Sequence, residues 1–511
     1  MGGKFKFLHS HFLWSVVVSL IALAMMMIRA VYGYTHYLPL RYISEICFVG
    51  LLLFVINRDE TPEFKTMWLV ILFVLRFPGI ILYILCTSLR QDKKSFQRYN
   101  NAAAEIRACF PEDEKNIPPE VDDPAASVQL HYLSAATQST WVPAGPMEYY
   151  PLGEAFHATF LKDLEQAKQF IFLEYFIVED GKMWGTVHNV LRRKAVQGVT
   201  VCVMYDDLGC MSTLPGRYIK LLEQEGIHAL RANRIPLLAL SRLNNNRDHR
   251  KIAVIDGTMG FTGGVNLADE YINAVEKFGH WKDTVIKFTG AGVTYLTALF
   301  LNMWNSQSGY HLEPKAYLRP TEGETRWNGG IVLPYGTGPW PLYRESVGRN
   351  AYLNMINGAQ RYCYITTPYL ICDYEILGAL RLAAKKKIDV RIITPHIPDK
   401  KLIFWMTRSN YAPLLTDGVK IYEYTPGFIH AKTMVCDDKF AVCGTINMDY
   451  RSLDHHFENA VWMYQTPCVL DIKVDFLHTQ ELSEAITQER ARMPLPEKIA
   501  TDAIKLFAPL L

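Results

Sequence analysis

Hydrophobic residues follow two different patterns along this 511-residue chain. In the first ninety residues they form three runs, 12–28, 46–56 and 67–86; the first and third are long enough for a bilayer and the second is short. The third run carries Arg76, Pro78 and Gly79. A central Arg costs about 2.5–3.5 kcal/mol on insertion scales, so Arg76 needs a partner or a wet path, and Glu45 is a candidate partner. Lys4 and Lys6 ahead of the first run would also fit a cleaved signal peptide, but its length, Arg29 at its end and the two further runs favour an anchor. Arg90, Lys93, Lys94 and Arg98 follow the third run and place what comes after it in the cytoplasm. Lys4 and Lys6 prefer the same side, which predicts that the second or third run is re-entrant or interfacial.

Beyond residue 100 the pattern becomes that of a soluble α/β protein. A strand-like run (170–178), a helical stretch (184–197) and a second strand (199–205) recur in the same order as 362–370, 374–387 and 389–394. Such a repeat predicts two sheets with helices on their faces. The linker between the halves falls between His311 and Asn328, where Pro314, Pro320, Gly323 and Gly329 interrupt the periodicity. The expected organisation is a membrane region with two to three hydrophobic helices (1–100), a first half (101–325) and a second half (326–511). Two apolar stretches, 402–406 and the stripe Ile499, Ile504, Leu506, Phe507, Leu510 and Leu511, fit either insertion into a membrane interface or packing on a core.

Composition narrows the function classes. A chain of this length exceeds what one hydrophobic core supports. A formal charge of +2 argues against a nucleic-acid binder working by bulk electrostatics. The ten cysteines are scattered without metal-ligand spacing and read as buried thiols in a reducing compartment.

The chemistry is concentrated in a pattern that occurs twice. His249, Lys251 and Asp256 stand in HRKIAVIDGTMGFTGGVN, and His430, Lys432 and Asp437 stand in HAKTMVCDDKFAVCGTIN. Each copy continues to a small pair, Gly263-Gly264 or Gly444-Thr445, and then to Asn266 or Asn447. Residues i and i+2 of a strand share a face, so each His projects with its Lys while Arg250 and Ala431 point away. Asp256-Gly257 and Asp437-Asp438 read as tight hairpin turns, which leaves open whether the aspartates are catalytic or structural. Two lysines would hold the nonbridging oxygens of a phosphodiester; one His would attack phosphorus, and the other would protonate the leaving alcohol and deprotonate the incoming one. This chemistry calls for no cofactor and no metal.

The duplicated motif resembles that of the phospholipase D superfamily, and the membrane segments followed by two catalytic halves resemble bacterial cardiolipin synthases. FLEYFIVED (172–180), YDDLG (205–209), NNNRDHRK (244–251), HWKDT (280–284), TTPY (366–369), NMDYRS (447–452) and HHFENAV (455–461) agree with that subfamily. The resemblance implies two phospholipase D-like α/β/α domains related by a pseudo-twofold axis, with His249 and His430 on opposite sides of one phosphate. It implies an orienting carboxylate for each His, with Asp283 and Glu458 as candidates by position, and it favours His249 as nucleophile and His430 as proton carrier. Glu174 fits equally a polar wall of the site or a buried, satisfied strand acid; Tyr205, Asp206 and Asp207 read as a strand end, and His280, His455 and His456 as structural or as supports behind the catalytic residues. The implied reaction joins two phosphatidylglycerol molecules into cardiolipin and glycerol at the bacterial membrane, without nucleic acid and in an oligomeric state that the residues leave undefined. A hydrolytic phospholipase D is the alternative, followed by a transferase using another donor such as phosphatidylethanolamine; a catalytically idle scaffold would not need His and Lys in both halves.

Overall fold

The computed structural model describes residues 24–25, 27–29, 31–87, 92–110, 121–137, 139–235, 246–318 and 330–510. Most of the run 12–28, together with Lys4, Lys6, Arg90, Asn244 and the linker from 319 to 328, lies outside the described residues. Contacts divide the chain into one unit of residues 1–94, 234–246 and 502–511 and another of 95–233 and 247–501.

In the first unit the apolar run 67–86 is not one helix. Arg76 adopts φ 52° and Pro78 follows, so helix Pro62–Leu75 stops and Phe77–Thr87 begins in a new direction. The two pack through Met67, Trp68, Leu72, Ile80 and Tyr83. Arg76 reaches Glu45 of helix Leu38–Ile56 at 3.2 Å, and the Tyr34 hydroxyl donates to the same carboxylate. Its guanidinium also lies 4.9 Å from the Phe48 ring centroid. Ile46, Phe73 and Val74 are mostly exposed, so the unit keeps apolar side chains on its outside. Among the described residues no single helix is long and apolar enough to cross a membrane; the pair 27–36 and 41–56 meets that test only jointly, across a 118° bend.

The second unit is mixed α/β, built on two large sheets. The first contains β1 (Met147–Tyr150), β2 (Phe170–Tyr175), β3 (Thr200–Asp206), β4 (His228–Ala232), β5 (Ile252–Ile255), β6 (Met259–Gly263) and β7 (Val285–Thr289), in the order β1-β7-β6-β5-β2-β3-β4. The second contains β8 (Ile331–Thr337), β9 (Tyr362–Thr366), β10 (Asp389–Pro395), β11 (Lys420–Tyr424), β12 (Thr433–Cys436), β13 (Phe440–Gly444) and β14 (Glu458–Tyr464). Its order, β8-β14-β13-β12-β9-β10-β11, repeats the first sheet strand for strand; short strands at Val142–Pro143 and Ser483–Ala485 extend its edges. The helix Pro124–Ala136 and strand Val142–Pro143, which precede residue 325, thus join the second sheet and its core.

Strand alternation sorts the core into layers. Phe170 and Phe172 of β2 and Tyr362 and Tyr364 of β9 share one apolar layer between the sheets, with helices Gly292–Gln307 and Pro467–Glu481. Ile171 and Leu173 face helices Gly153–Gln166 and Lys182–Val196 on one outside, and Cys363 and Ile365 face Val347–Gly358 and Tyr374–Lys385 on the other.

Candidate active site

His249 and Lys251 lie not within β5 but in the extended segment that leads into it, and His430 and Lys432 stand in the same place before β12. Each lead-in pairs in parallel with a segment of the opposite half. Asp248 bridges Phe457, with the His249 N–H donating to the Phe457 carbonyl at 2.9 Å. Strand Gly427–Ile429 pairs with His280–Lys282, and the His430 N–H donates to the Lys282 carbonyl at 2.7 Å. This register sets the acid that follows each partner beside the histidine. Glu458 receives His249 Nδ1 at 2.9 Å on both oxygens, and Asp283 Oδ2 meets His430 Nδ1 at 2.7 Å. Each histidine therefore finds its carboxylate in the other half of the chain.

The glycines of the motif exist to let that happen. A Cβ on Gly264 would stand 2.1 Å from the Asp283 carboxylate, and one on Gly263 would stand 2.1 Å from the Thr284 carbonyl. Gly444 is under the same constraint from the Asn459 carbonyl. In the second copy Thr445 replaces Gly264, and its hydroxyl donates to Glu458.

Burial sets the electrostatics. It is the largest cause lowering His249 to about 3 and holding His430 well below an ordinary histidine, so burial favours the neutral imidazole in both. Burial also brings Lys251 down to about 7 and Lys432 to about 8, against the pull of Glu458 and Asp283. The two acids diverge. Burial raises Asp283 to about 7, whereas for Glu458 burial is outweighed by His249 and His456, which hold it well below the carboxylate range. Each lysine ammonium donates to the carbonyl of its own histidine, Lys251 at 2.7 Å.

A family model described as "Cardiolipin synthase, PLD-like domain" matches residues 352–479. The chain is 32% identical to a cardiolipin synthase of Alkalihalophilus pseudofirmus over 91% of its own length and 92% of that protein. The chain belongs to the bacterial cardiolipin synthase family. It is also 31% identical to a cardiolipin synthase of Staphylococcus aureus, over 92% of the chain and 95% of that protein, and 41% identical to an uncharacterized protein of Streptococcus mutans, over 91% and 100%. The crystal structure of phosphatidylserine synthase from Haemophilus influenzae has the same fold, with a TM-score of 0.56 at 13% identity, covering 74% of this chain and 99% of that one.

The remaining motif residues of this family member lie around that centre in distinct positions. Asp256 and Asp437 do not reach the histidines: each occupies a hairpin turn at positive φ and accepts three backbone N–H groups at the start of a neighbouring strand. Asp256 holds Lys168, Gln169 and Phe170 at 2.7–2.9 Å, and Asp437 holds Gln360, Arg361 and Tyr362 at 2.7–3.0 Å. Glu174 is fully buried and pairs with Arg250 at 2.7 Å, beside a second pairing of Arg250 with Asp248. The structure thus puts Glu174 behind the motif strand and not in the wall of the site. Asn266 accepts the Ile177 N–H and donates to the Tyr271 hydroxyl, whose ring lies 5.6 Å from that of His430; Asn447 is buried, and its Oδ1 has no partner among the described residues. Asp206 ends β3, as its place in YDDLG suggested, but it also accepts the Asp248 N–H at 2.9 Å and so braces the lead-in to His249.

Residue-by-residue reading gave no role to Thr445 or Trp281. His456 takes the supporting place that was one of its two expected roles: its ring lies 5.5 Å from that of His249 and its Nδ1 lies 3.5 Å from Glu458. Aligning HWKDT with HHFEN would have marked the position, since Trp281 and His456 each stand two residues before the acid that meets a motif histidine.

Proposed function

We propose that this chain is a membrane-bound phosphatidyltransferase that joins two phosphatidylglycerol molecules into cardiolipin and releases glycerol. The reading is carried by the paired His-Lys lead-ins, each completed by a carboxylate of the opposite half, and is supported by the cardiolipin synthase relatives. The two halves act as one site about a pseudo-twofold axis. Lys251 and Lys432 hold the nonbridging phosphate oxygens and stabilise charge that develops in the transition state. His249 Nε2 attacks phosphorus while its Nδ1–H stays on Glu458; the N–P bond forms, the P–O bond to glycerol breaks, and His430 gives the leaving oxygen its Nε2 proton as its Nδ1 takes one from Asp283. A hydroxyl of the second lipid then returns a proton to His430 and attacks phosphorus, and the N–P bond breaks. Asp256 and Asp437 hold the turns behind the motif strands and take no part in bond making. The apolar helices of the first unit, with side chains such as Ile46 and Val74 exposed, support attachment to the membrane, with the catalytic unit on the cytoplasmic side.

The test is lipid mass spectrometry after incubating detergent-purified protein with phosphatidylglycerol alone, beside the His430→Ala variant. Cardiolipin and glycerol formed by the wild type and lost by at least about 10³-fold in the variant are the expected result. Phosphatidic acid as the sole product would overturn the transferase reading in favour of hydrolysis.

A further inference from the structure

Two half-sites with the same strand order should be interchangeable, yet the residues around the two acids differ. Asp283 Oδ2 lies 2.7 Å from His430 Nδ1, and its carboxyl accepts one backbone N–H, that of Thr284 at 2.8 Å. Glu458 receives His249 Nδ1 and the Thr445 hydroxyl, and His456 Nδ1 stands 3.5 Å from its Oε1. At the place of Thr445 the first motif has Gly264, and at the place of His456 the other half has Trp281, whose ring is 5.6 Å from that of His430. His456 is buried, and apart from the approach of Nδ1 to Glu458 its ring nitrogens have no hydrogen-bond partner among the described residues. A buried imidazole so placed is costly unless something uses its N–H.

We propose that His456 is a positioning residue that acts through Glu458 to make His249, and not His430, the histidine that carries the phosphatidyl group. The inference rests on the covalent reading above. A nucleophilic imidazole must keep its proton on Nδ1 and present a bare Nε2, and once it bears phosphorus it is a cation. Both states require an acid partner that stays ionised, and donors converging on Glu458 from Thr445 and His456 keep it so. The proton carrier needs the opposite: to donate Nε2–H while neutral it must have a bare Nδ1, which requires a protonated acid opposite. Asp283, on the histidine that Trp281 flanks and raised by burial to about 7, suits that task. Two carboxylates pushed in opposite directions thus give one pseudosymmetric site a fixed direction of attack.

The experiment is base-quenched single turnover with phosphatidylglycerol, followed by digestion and mass spectrometry to locate the phosphorus-bearing histidine in the wild type, His456→Phe, His456→Asn and the exchange variant His456→Trp with Trp281→His. The wild type should carry the adduct on His249. His456→Phe should form it about 10- to 100-fold more slowly with little change in KM, the usual penalty for losing an orienting partner, and Asn, which supplies an N–H, should restore most of the rate. The exchange variant should carry adduct on His430, at least in part. Adduct on His430 in the wild type, or a His456→Phe rate equal to the wild type, overturns the inference while leaving covalent transfer intact. Turnover with no adduct on either histidine overturns the covalent reading and the inference with it.

Discussion

Replacing Asp437 by Ala should damage the fold and leave the chemistry nearly untouched, although the residue belongs to the motif that defines the site. Its carboxylate is largely buried and accepts three N–H groups, from Gln360, Arg361 and Tyr362. Hydrogen bonds to a charged group contribute about 1.5–3 kcal/mol each when buried, and two of these three are partly exposed, so their joint loss costs about 3 kcal/mol. Alanine at φ 58° adds about 1 kcal/mol. Unfolding entropy of about 2.1 cal/mol/K per residue over roughly 400 residues converts about 4 kcal/mol into a Tm lower by about 5 °C. Asparagine tolerates positive φ, keeps the two bonds to Oδ1 and turns an NH₂ toward Gln360, so Asp437→Asn should lower Tm by only about 2 °C. Thermal melting of the purified protein, paired with cardiolipin formation at 25 °C per folded molecule, measures both quantities. Turnover should stay within about threefold of wild type, equivalent to less than 1 kcal/mol of barrier. A fall of 10³-fold or more at unchanged Tm would refute the structural role and return Asp437 to the catalytic set.

Further outcomes follow from the same geometry. Glu458→Gln should lower kcat roughly 10³- to 10⁴-fold with little loss of stability, because the amide no longer fixes the Nδ1–H tautomer of His249; a kcat within tenfold of wild type would remove Glu458 from its orienting role. Arg250→Met strands the buried carboxylates of Glu174 and Asp248 and should cost about 3–5 kcal/mol, seen in urea unfolding, and adding Glu174→Gln should recover part of it. An Arg250→Met protein as stable as the wild type would deny that the pair holds the motif strand. The rate should also depend on pH in an unusual direction. His249 is lowered to about 3, so kcat/KM should show no acid limb near 6.5; Lys251 at about 7 and Lys432 at about 8 are charged below those values, so kcat/KM should fall as pH rises from 7 to 9. A profile that rises over that interval would show that the lysines keep their charge or are not needed.

Features that depend on short spacings were legible in the chain before it folded. Strand-like runs over 170–178 and 362–370 located the strands that the structure ends at Tyr175 and Thr366, and the i, i+2 rule put each Lys beside its His. The sequence marked the hairpin turns at Asp256 and Asp437 but left the duty of those aspartates open, because the N–H groups they hold lie 75 to 88 residues earlier in the chain. The break at Arg76 was foreshadowed by Pro78 and Gly79, whereas its contact with Glu45 needed helices folded back on one another. Tertiary structure alone decided that Glu174 serves Arg250, that His456 stands against Glu458, and above all which acid serves which histidine. Glu458 is 209 residues from His249 and Asp283 is 147 residues from His430; pairings at that separation come from the register of parallel strands between the two halves, and no local periodicity encodes such a register.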